Sequence, residues 1–399
     1  MNNEQRTTNI EHRSARMAKS RLGRSMFVVR CSLFPLLLFL VLPLASSAAV
    51  PLTTSDGFAV PQPGRQFVFP RDHGSHPEFK IEWWYVTGHL FAKDGRRFGY
   101  QATFFRRSAP GVATNILAND QLYLAHMAVL DERSGKFLHQ ERINRSGWDA
   151  GSATNSLDVF NGPWRLAMTD EKSGTMSLAG GVRAEAAFQL TLKPTKPLVV
   201  FGTNGVSRKG ADPTAASHYL TFTRLETRGT LRLGSETIAV AGLSWMDHEI
   251  SSSQLDDAQV GWDWTAVQLD DGTDLMIYVL RRKDGSIDRF STLAHVDGEG
   301  RVRQVPADQF GWKPLGQWKS PATGGVYPAG IEIRVPEGFG SERLLRLEPL
   351  AAAQELTGDL GGISYWEGAC RVRNAAGKVI GSAFLELTGY SDDLADRMR

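Results

Sequence analysis

The chain has 399 residues, 42% of them hydrophobic and 22% charged, with 45 Lys and Arg against 43 Asp and Glu. Seven of the basic residues and two of the acidic ones fall within positions 1–49, so the remainder holds 38 basic and 41 acidic residues, a net charge of −3. With no basic block in that remainder, neither nucleic acid nor an anionic membrane surface is an expected partner.

The basic start is followed by an uncharged, Leu-rich run from Cys31 to Leu44 and by the small residues Ala45 to Ala49. That run is shorter than the ~20 residues of a spanning helix, so residues 1–49 read as a cleaved secretory signal peptide with no membrane span after its removal. Met1, Met17 and Met26 all fit as the start, and the mature protein is expected to be periplasmic or secreted. Cys31 leaves with the signal and Cys370 remains alone, so the mature chain has no internal disulfide. Its length exceeds one ordinary core, and two domains are expected. Nothing in the sequence marks the oligomeric state.

Residues 50–66, rich in Pro, Gly and polar side chains, read as an extended lead-in. Short aromatic and β-branched runs then alternate with turn signals such as Asp94-Gly95, Ser134-Gly135, Asp271-Gly272 and Asp284-Gly285. Hairpin following hairpin predicts an all-β, mainly antiparallel chain. The segment Leu350 to Leu356 is the one short helix expected. A faint echo, Trp84 through Asp94-Gly95 and Tyr100 to Arg106 against Trp262 through Asp271-Gly272 and Tyr278 to Arg281, supports two tandem β-barrel or sandwich domains, 67–240 and 241–399.

Period two along Ile81 to Leu90 puts Glu82 and Trp84 on one face and Trp83 and Tyr85 on the other. Glu82 then acts either as a neutral general acid or as the partner of Arg106 or Arg107; both readings stay open. In "LSWMDHEIS" the same period groups Trp245, Asp247 and Glu249, with His248 opposite beside Met246 and Ile250. That acidic face is a polar pocket wall or an interdomain corner stitched by salt bridges. Asp247 is expected to be a structural pair rather than a catalytic acid, and His248 to face a ligand, with a satisfied core histidine bonded to a backbone carbonyl as the alternative. Trp262 and Trp264 form either a flat apolar wall suited to an unsaturated or aromatic ligand and able to stabilise a carbocation, or ordinary barrel core; both readings stay open. Trp366 beside Glu367 repeats the theme, and His126 joins the ligand-binding candidates. A functional metal is not expected: His73 and His76 lie three apart, but no H-E-x-x-H or Cys-x-x-Cys exists. Nucleophile-elbow, P-loop and dinucleotide fingerprints are absent, so no cofactor is called for.

The stretches "FPRDHGSHPEFKIEWWYVTGHL", "FGYQATFFR", "AHMAVLD", "SRKGADPTAASHYL", "WMDHEIS", "GWDWTAVQLDDG", "YWEGACRV" and "LELTGY" together resemble the carotenoid 1,2-hydratase-like (CrtC-like) family, whose secreted bacterial members carry the names AttH-like or predicted secreted hydrolase. The resemblance runs from Phe67 to Tyr390. It implies two lipocalin-like β domains packed together and apolar ligands such as carotenoids or other isoprenoids. For hydratase members it implies a His, a Trp, a Tyr and an Asp that add water to a terminal double bond. The His matches His248 and the Tyr matches Tyr278, whereas Ile250 stands at the Trp position and Leu280 at the Asp position.

Three functions follow as expectations. The first is an exported two-barrel protein holding a hydrophobic small molecule, with hydratase-type acid catalysis by Asp247, Glu249 or Glu82. The second is a non-enzymatic lipocalin-like carrier or envelope-stress binding protein, and the third a hydrolase without a Ser nucleophile. Export has its own check: N-terminal sequencing of periplasmic or secreted material is expected to begin at about Ala49 to Pro51. Recovery of residues 17–45 still attached would make the segment an anchor.

Overall fold

A computed structural model describes residues 50–108, 121–340 and 343–391, and the expected signal segment lies outside them. The first sheet is built from β1 (Ile81–Ala92), β2 (Arg97–Ser108), β3 (Gln121–Asp131), β4 (Lys136–Arg145), β5 (Ala150–Ser152), β6 (Asp158–Asn161) and β7 (Trp164–Asp170). It continues with β8 (Thr175–Val182), β9 (Ala186–Pro194), β10 (Val199–Phe201), β11 (Ser207–Arg208), β12 (Ala216–Leu233) and β13 (Glu236–Ser253). The second half holds β14 (Gln259–Leu269), β15 (Asp274–Arg282), β16 (Thr292–Val296), β17 (Val302–Pro306), β18 (Gly311–Leu315) and β19 (Trp318–Lys319). Then come β20 (Val326–Tyr327), β21 (Gly330–Arg334), β22 (Leu344–Pro349), β23 (Glu355–Leu356), β24 (Tyr365–Arg373) and β25 (Val379–Thr388).

The spatial order of the first sheet is β4-β3-β2-β1-β13-β12-β9-β8-β7-β6-β5, and that of the second is β17-β16-β15-β14-β25-β24-β22-β21-β18. In both, the first strand of the half lies between its second and its last, so one antiparallel plan is used twice. The result is an all-β protein of two curled antiparallel sheets with a lipocalin-like plan. The echo in the sequence is the pair of hairpins that opens each half. Gly95 and Gly272 take φ of +83° and +88° in their turns, a conformation that glycine adopts without strain. Each returning strand also delivers an arginine to a buried acid, Arg106 to Glu82 at 3.0 Å and Arg281 to Asp263 at 2.9 Å.

Each sheet curls around its own core. Trp84, Val86, Tyr100 and Met246 belong to the first, and Val267, Ile277, Trp366 and Leu385 to the second. A third apolar cluster, including Tyr85, Tyr219, Trp245, Trp264 and Tyr278, draws side chains from both sheets. The chain leaves the first sheet after Ser253 and enters the second at Gln259, and Val240 lies within β13, paired with Ala92. The lead-in carries only an isolated bridge from Thr53 to Ala59, yet it buries Phe58 and Val60.

The helix expected over Leu350 to Leu356 is not formed. Glu355 instead pairs in β23 with Trp366 of β24, and its carboxylate accepts hydroxyl bonds from Thr323 at 2.6 Å and Tyr327 at 2.7 Å. These tertiary bonds override the Ala-rich local preference.

The two sheets are tied across their seam by polar contacts. Asp274 of β15 accepts from Lys196 and Arg224, both at 2.6 Å, and from the Thr223 hydroxyl at 2.9 Å. Gln268 of β14 donates to the backbone oxygens of Thr223 and Ser244, and His89 of β1 bonds the backbone oxygen of Ala383 in β25. Asp274 is fully buried. Asp274→Ala would leave two cations without their anion and is expected to cost about 3–5 kcal/mol, read as a fall of several degrees in the thermal midpoint. An unchanged midpoint would show that the clamp contributes nothing.

Candidate functional site

β1 and β13 are antiparallel neighbours with Tyr85 opposite Asp247, Trp83 opposite Glu249 and Trp84 opposite His248. Over residues 81–90 and 244–252 both strands are covered on both faces, so period two sends alternate side chains to opposite sides of the pair.

On the seam side lies a cavity of about 480 Å³. β1 contributes Trp83 and Tyr85, β12 Tyr219, β13 Asp247 and Glu249, β14 Trp262 and Trp264, and β15 Tyr278 and Leu280; Glu367 of β24 and Glu386 of β25 complete this part of the wall. Aliphatic side chains supply much of the rest, and Leu122, Ile143 and Leu360 are exposed enough to mark its opening.

Asp247 is held by three neutral donors. Trp245 Nε1 and Thr221 Oγ1 each donate to Oδ1 at 2.7 Å, and the Tyr219 hydroxyl donates to Oδ2 at 2.6 Å. Trp264 Nε1 in turn donates to the Tyr219 oxygen at 2.9 Å, so a chain of donors converges on this carboxyl. Burial pushes its pKa up to about 7, although the three donors work the other way. Burial likewise raises Glu386 to about 8, with Trp262 as the opposing hydrogen-bond neighbour. Glu367 is driven well above the carboxylate range by burial and then by the neighbouring Glu386; it accepts from the Tyr85 hydroxyl through Oε1. Glu249 differs: Ser217 donates to it at 2.5 Å and Lys209 pairs with it at 3.3 Å. Tyr278 packs under Lys209, whose Nζ lies 4.2 Å from the ring centre, and its hydroxyl donates to the Arg208 backbone oxygen at 3.1 Å. His126 lines the wall with Nδ1 bonded to the Tyr365 hydroxyl at 2.6 Å, and burial lowers its pKa to about 4.

The opposite face of the same strand pair carries a charged hub. Glu82 Oε1 accepts from His76 Nδ1 and His248 Nε2, both at 2.8 Å, and Oε2 accepts from Arg106 Nε at 3.0 Å and the His76 backbone N–H at 2.9 Å. Burial opposes its charge, but Arg106 and the two imidazoles outweigh this and hold its pKa well below the usual range. His248 stacks on Trp84 with centroids 4.8 Å apart, and burial lowers its pKa. His76, Glu82 and His248 are also the group, among the described residues, whose ligand atoms lie close enough to hold a metal ion. Glu82 already satisfies both facing imidazole nitrogens, and a guanidinium occupies its other oxygen, a setting that disfavours an added cation.

The structure thus brings Asp247, Glu249, Tyr278, Trp83, Tyr85, His126, Trp262 and Trp264 to one cavity. His248, Glu82 and Trp84 do not border it. Trp245 sits behind Asp247 as its donor, and Trp366 lies in the second core with Nε1 on the Ala352 backbone oxygen at 2.8 Å. The expectation of a salt-bridged Asp247 and a ligand-facing His248 is therefore reversed. Among the described residues no cation pairs with Asp247, and His248 shares its face with Met246 inside the first sheet. Tyr219, Glu386, Tyr365 and Lys209 were not singled out by sequence reasoning. Glu386 had a signal, a lone acid in the apolar strand "AFLELTGY", of the same kind that marked Glu82.

The AttH-like family model matches residues 60–390, and the chain belongs to that family. It is similar to the crystal structure of an AttH candidate from Nitrosomonas europaea, with 35% identity and a TM-score of 0.74 over 84% of this chain and all of that one. It also shares its fold with kievitone hydratase from Nectria haematococca, at 15% identity and a TM-score of 0.61, covering 86% of this chain and 96% of that one. No functionally curated protein resembles the sequence closely enough to count as a match. No helix among the described residues is long and apolar enough to cross a membrane.

An acid whose folded pKa lies above its unfolded one binds its proton more tightly when folded, so its contribution to stability falls as pH rises from about 4 to about 7. Asp247→Asn removes that loss. The variant is expected to gain stability relative to the parent above pH 7, by about 4 kcal/mol at most, with the gap closing near pH 4 in denaturant titrations. A gap of the same size at both ends would mean that Asp247 is not held protonated.

Proposed function

We propose that the protein is an exported binder of a hydrophobic small molecule that catalyses acid-type hydration, or the reverse dehydration, of an alkene in the cavity between its sheets. The observation that carries this reading is Asp247: a carboxyl on an aromatic wall, fixed by three donors, without a cation, and poised near neutral pH to hold or give a proton. In the forward direction the Asp247 O–H bond breaks and its proton forms a C–H bond with one alkene carbon, leaving the other carbon positive. The indole faces of Trp262 and Trp264 are on hand to stabilise that charge. Water adds to the cation and returns a proton to the Asp247 carboxylate, so alkene and water give an alcohol and the acid is restored.

Leu280, at the position where the resemblance expects an Asp, lies in the cavity wall, and Asp247 offers a carboxyl to the same space. A hydratase of the same fold and an AttH-like relative support the class, while export is inferred from the N-terminal charge and apolar run. One observation favours a carrier instead: His248, the His of the resemblance, is bonded to Glu82 and stacked on Trp84, away from the cavity.

The readings separate in D₂O with a terminal isoprenoid alkene. Catalysis places deuterium at the protonated carbon, and Asp247→Asn is expected to lower turnover by about 10²-fold or more while ligand quenching of tryptophan emission keeps its affinity. Trp262→Phe should weaken that quenching more than Trp318→Phe, because Trp318 does not line the cavity. Saturable quenching without deuterium uptake would leave the carrier.

A further inference from the structure

The cavity holds more carboxyl groups than alkene protonation uses. Of Asp247, Glu249, Glu367 and Glu386, only Glu249 has a cation among the described residues, Lys209, and that ammonium is also engaged over the rings of Tyr219 and Tyr278. Of the other basic lining residues, Arg106 is committed to Glu82, and Arg107 lies opposite Leu122 at the opening. Glu386 lies within electrostatic reach of Glu249, Asp247 and Asp263, and Glu367 within reach of Glu386 and of the phenols of Tyr85 and Tyr365. Glu367 is completely buried, and its Oε2 has no hydrogen-bond partner among the described residues although the side chain lines the cavity.

A buried carboxyl oxygen without a donor carries a desolvation penalty that a ligand N–H would remove. Carboxyl groups gathered in a dry space either keep their protons or take up a compensating cation. The π faces of Trp262, Trp264 and Tyr85 in the same wall attract positive charge as well. We infer that the cavity takes an amphipathic organic cation, its ammonium among Glu367, Glu386 and these rings and its hydrocarbon along Leu122, Leu124 and Ile143. The inference rests on the reading of this cavity as the ligand site and narrows the ligand class. Seating the ammonium displaces a carboxyl proton, so charge enters as a proton leaves.

The test is calorimetry with three probes of one chain length, decylammonium, decanol and decanoate, each below its micellar concentration. At about pH 7 decylammonium is expected to bind about tenfold or more tightly than decanol, with decanoate weakest, and to release about one proton, seen as a heat that depends on the buffer's ionisation enthalpy. Glu367→Gln and Glu386→Gln should each reduce the preference for the amine by about fivefold or more while leaving decanol within about twofold of the parent. Decanol or decanoate binding as tightly as the amine, or amine binding without proton release, overturns the cationic ligand and leaves the cavity as an apolar site. Failure of all three probes to bind removes the site and the inference together.

Discussion

Over residues 81–90 and 244–252 the antiparallel pair of β1 and β13 is covered on both faces, and polar side chains there must find most of their partners within the protein. Glu82 and Asp247 meet that constraint in opposite ways on opposite sides of the same two strands. Glu82 is ringed by a guanidinium and two imidazoles, and the burial that opposes its charge is outweighed. Among the described residues Asp247 meets only hydroxyl and indole donors, and burial prevails. One carboxylate becomes a fixed anion that organises the inside of the first sheet, while the other becomes an acid facing the seam. The chemistry of the centre follows from which neighbours the register brings to each face.

Much of this was legible in the sequence. Period two grouped Glu82 with Trp84, Trp83 with Tyr85, and Asp247 with Trp245 and Glu249, and each grouping appears in the structure. Asp-Gly pairs marked the opening hairpins of both halves, because few other residues accept the backbone conformation of those turns. The meaning of the two faces was not legible. When both sides of a strand are buried, the alternation of apolar and polar residues that normally tells core from solvent is lost. Asp247 therefore read as one half of a salt bridge, since the hydroxyls that hold it come from β12 and leave no charge in the sequence. Trp366 and Glu367 read as one theme although adjacent strand residues point to opposite compartments. Glu367 and Glu386 lie more than a hundred residues from Asp247, and no local pattern reports a pairing made only when two sheets dock.

The doubled sheet plan gives the seam its character. Each half opens with a hairpin whose return strand supplies an arginine to a buried acid, so each sheet closes its own end with an ion pair and needs nothing from the other to do so. What the halves share is the space between them, where each contributes aromatic walls and carboxyl groups. The fold is held in common with structures at 35% and 15% identity, so the sheets alone do not define the chemistry, which has to be argued from side chains such as those at the seam.

The latch at Asp274 stands outside the cavity lining, yet it helps to set how far apart the two walls lie. If the seam parted by the thickness of a water layer, the carboxyls would be hydrated, their pKa values would fall toward ordinary ones, and the groups would ionise and repel one another. Acidity at this site thus depends on how closely the two halves pack, because it is burial at the seam that raises these carboxyl groups.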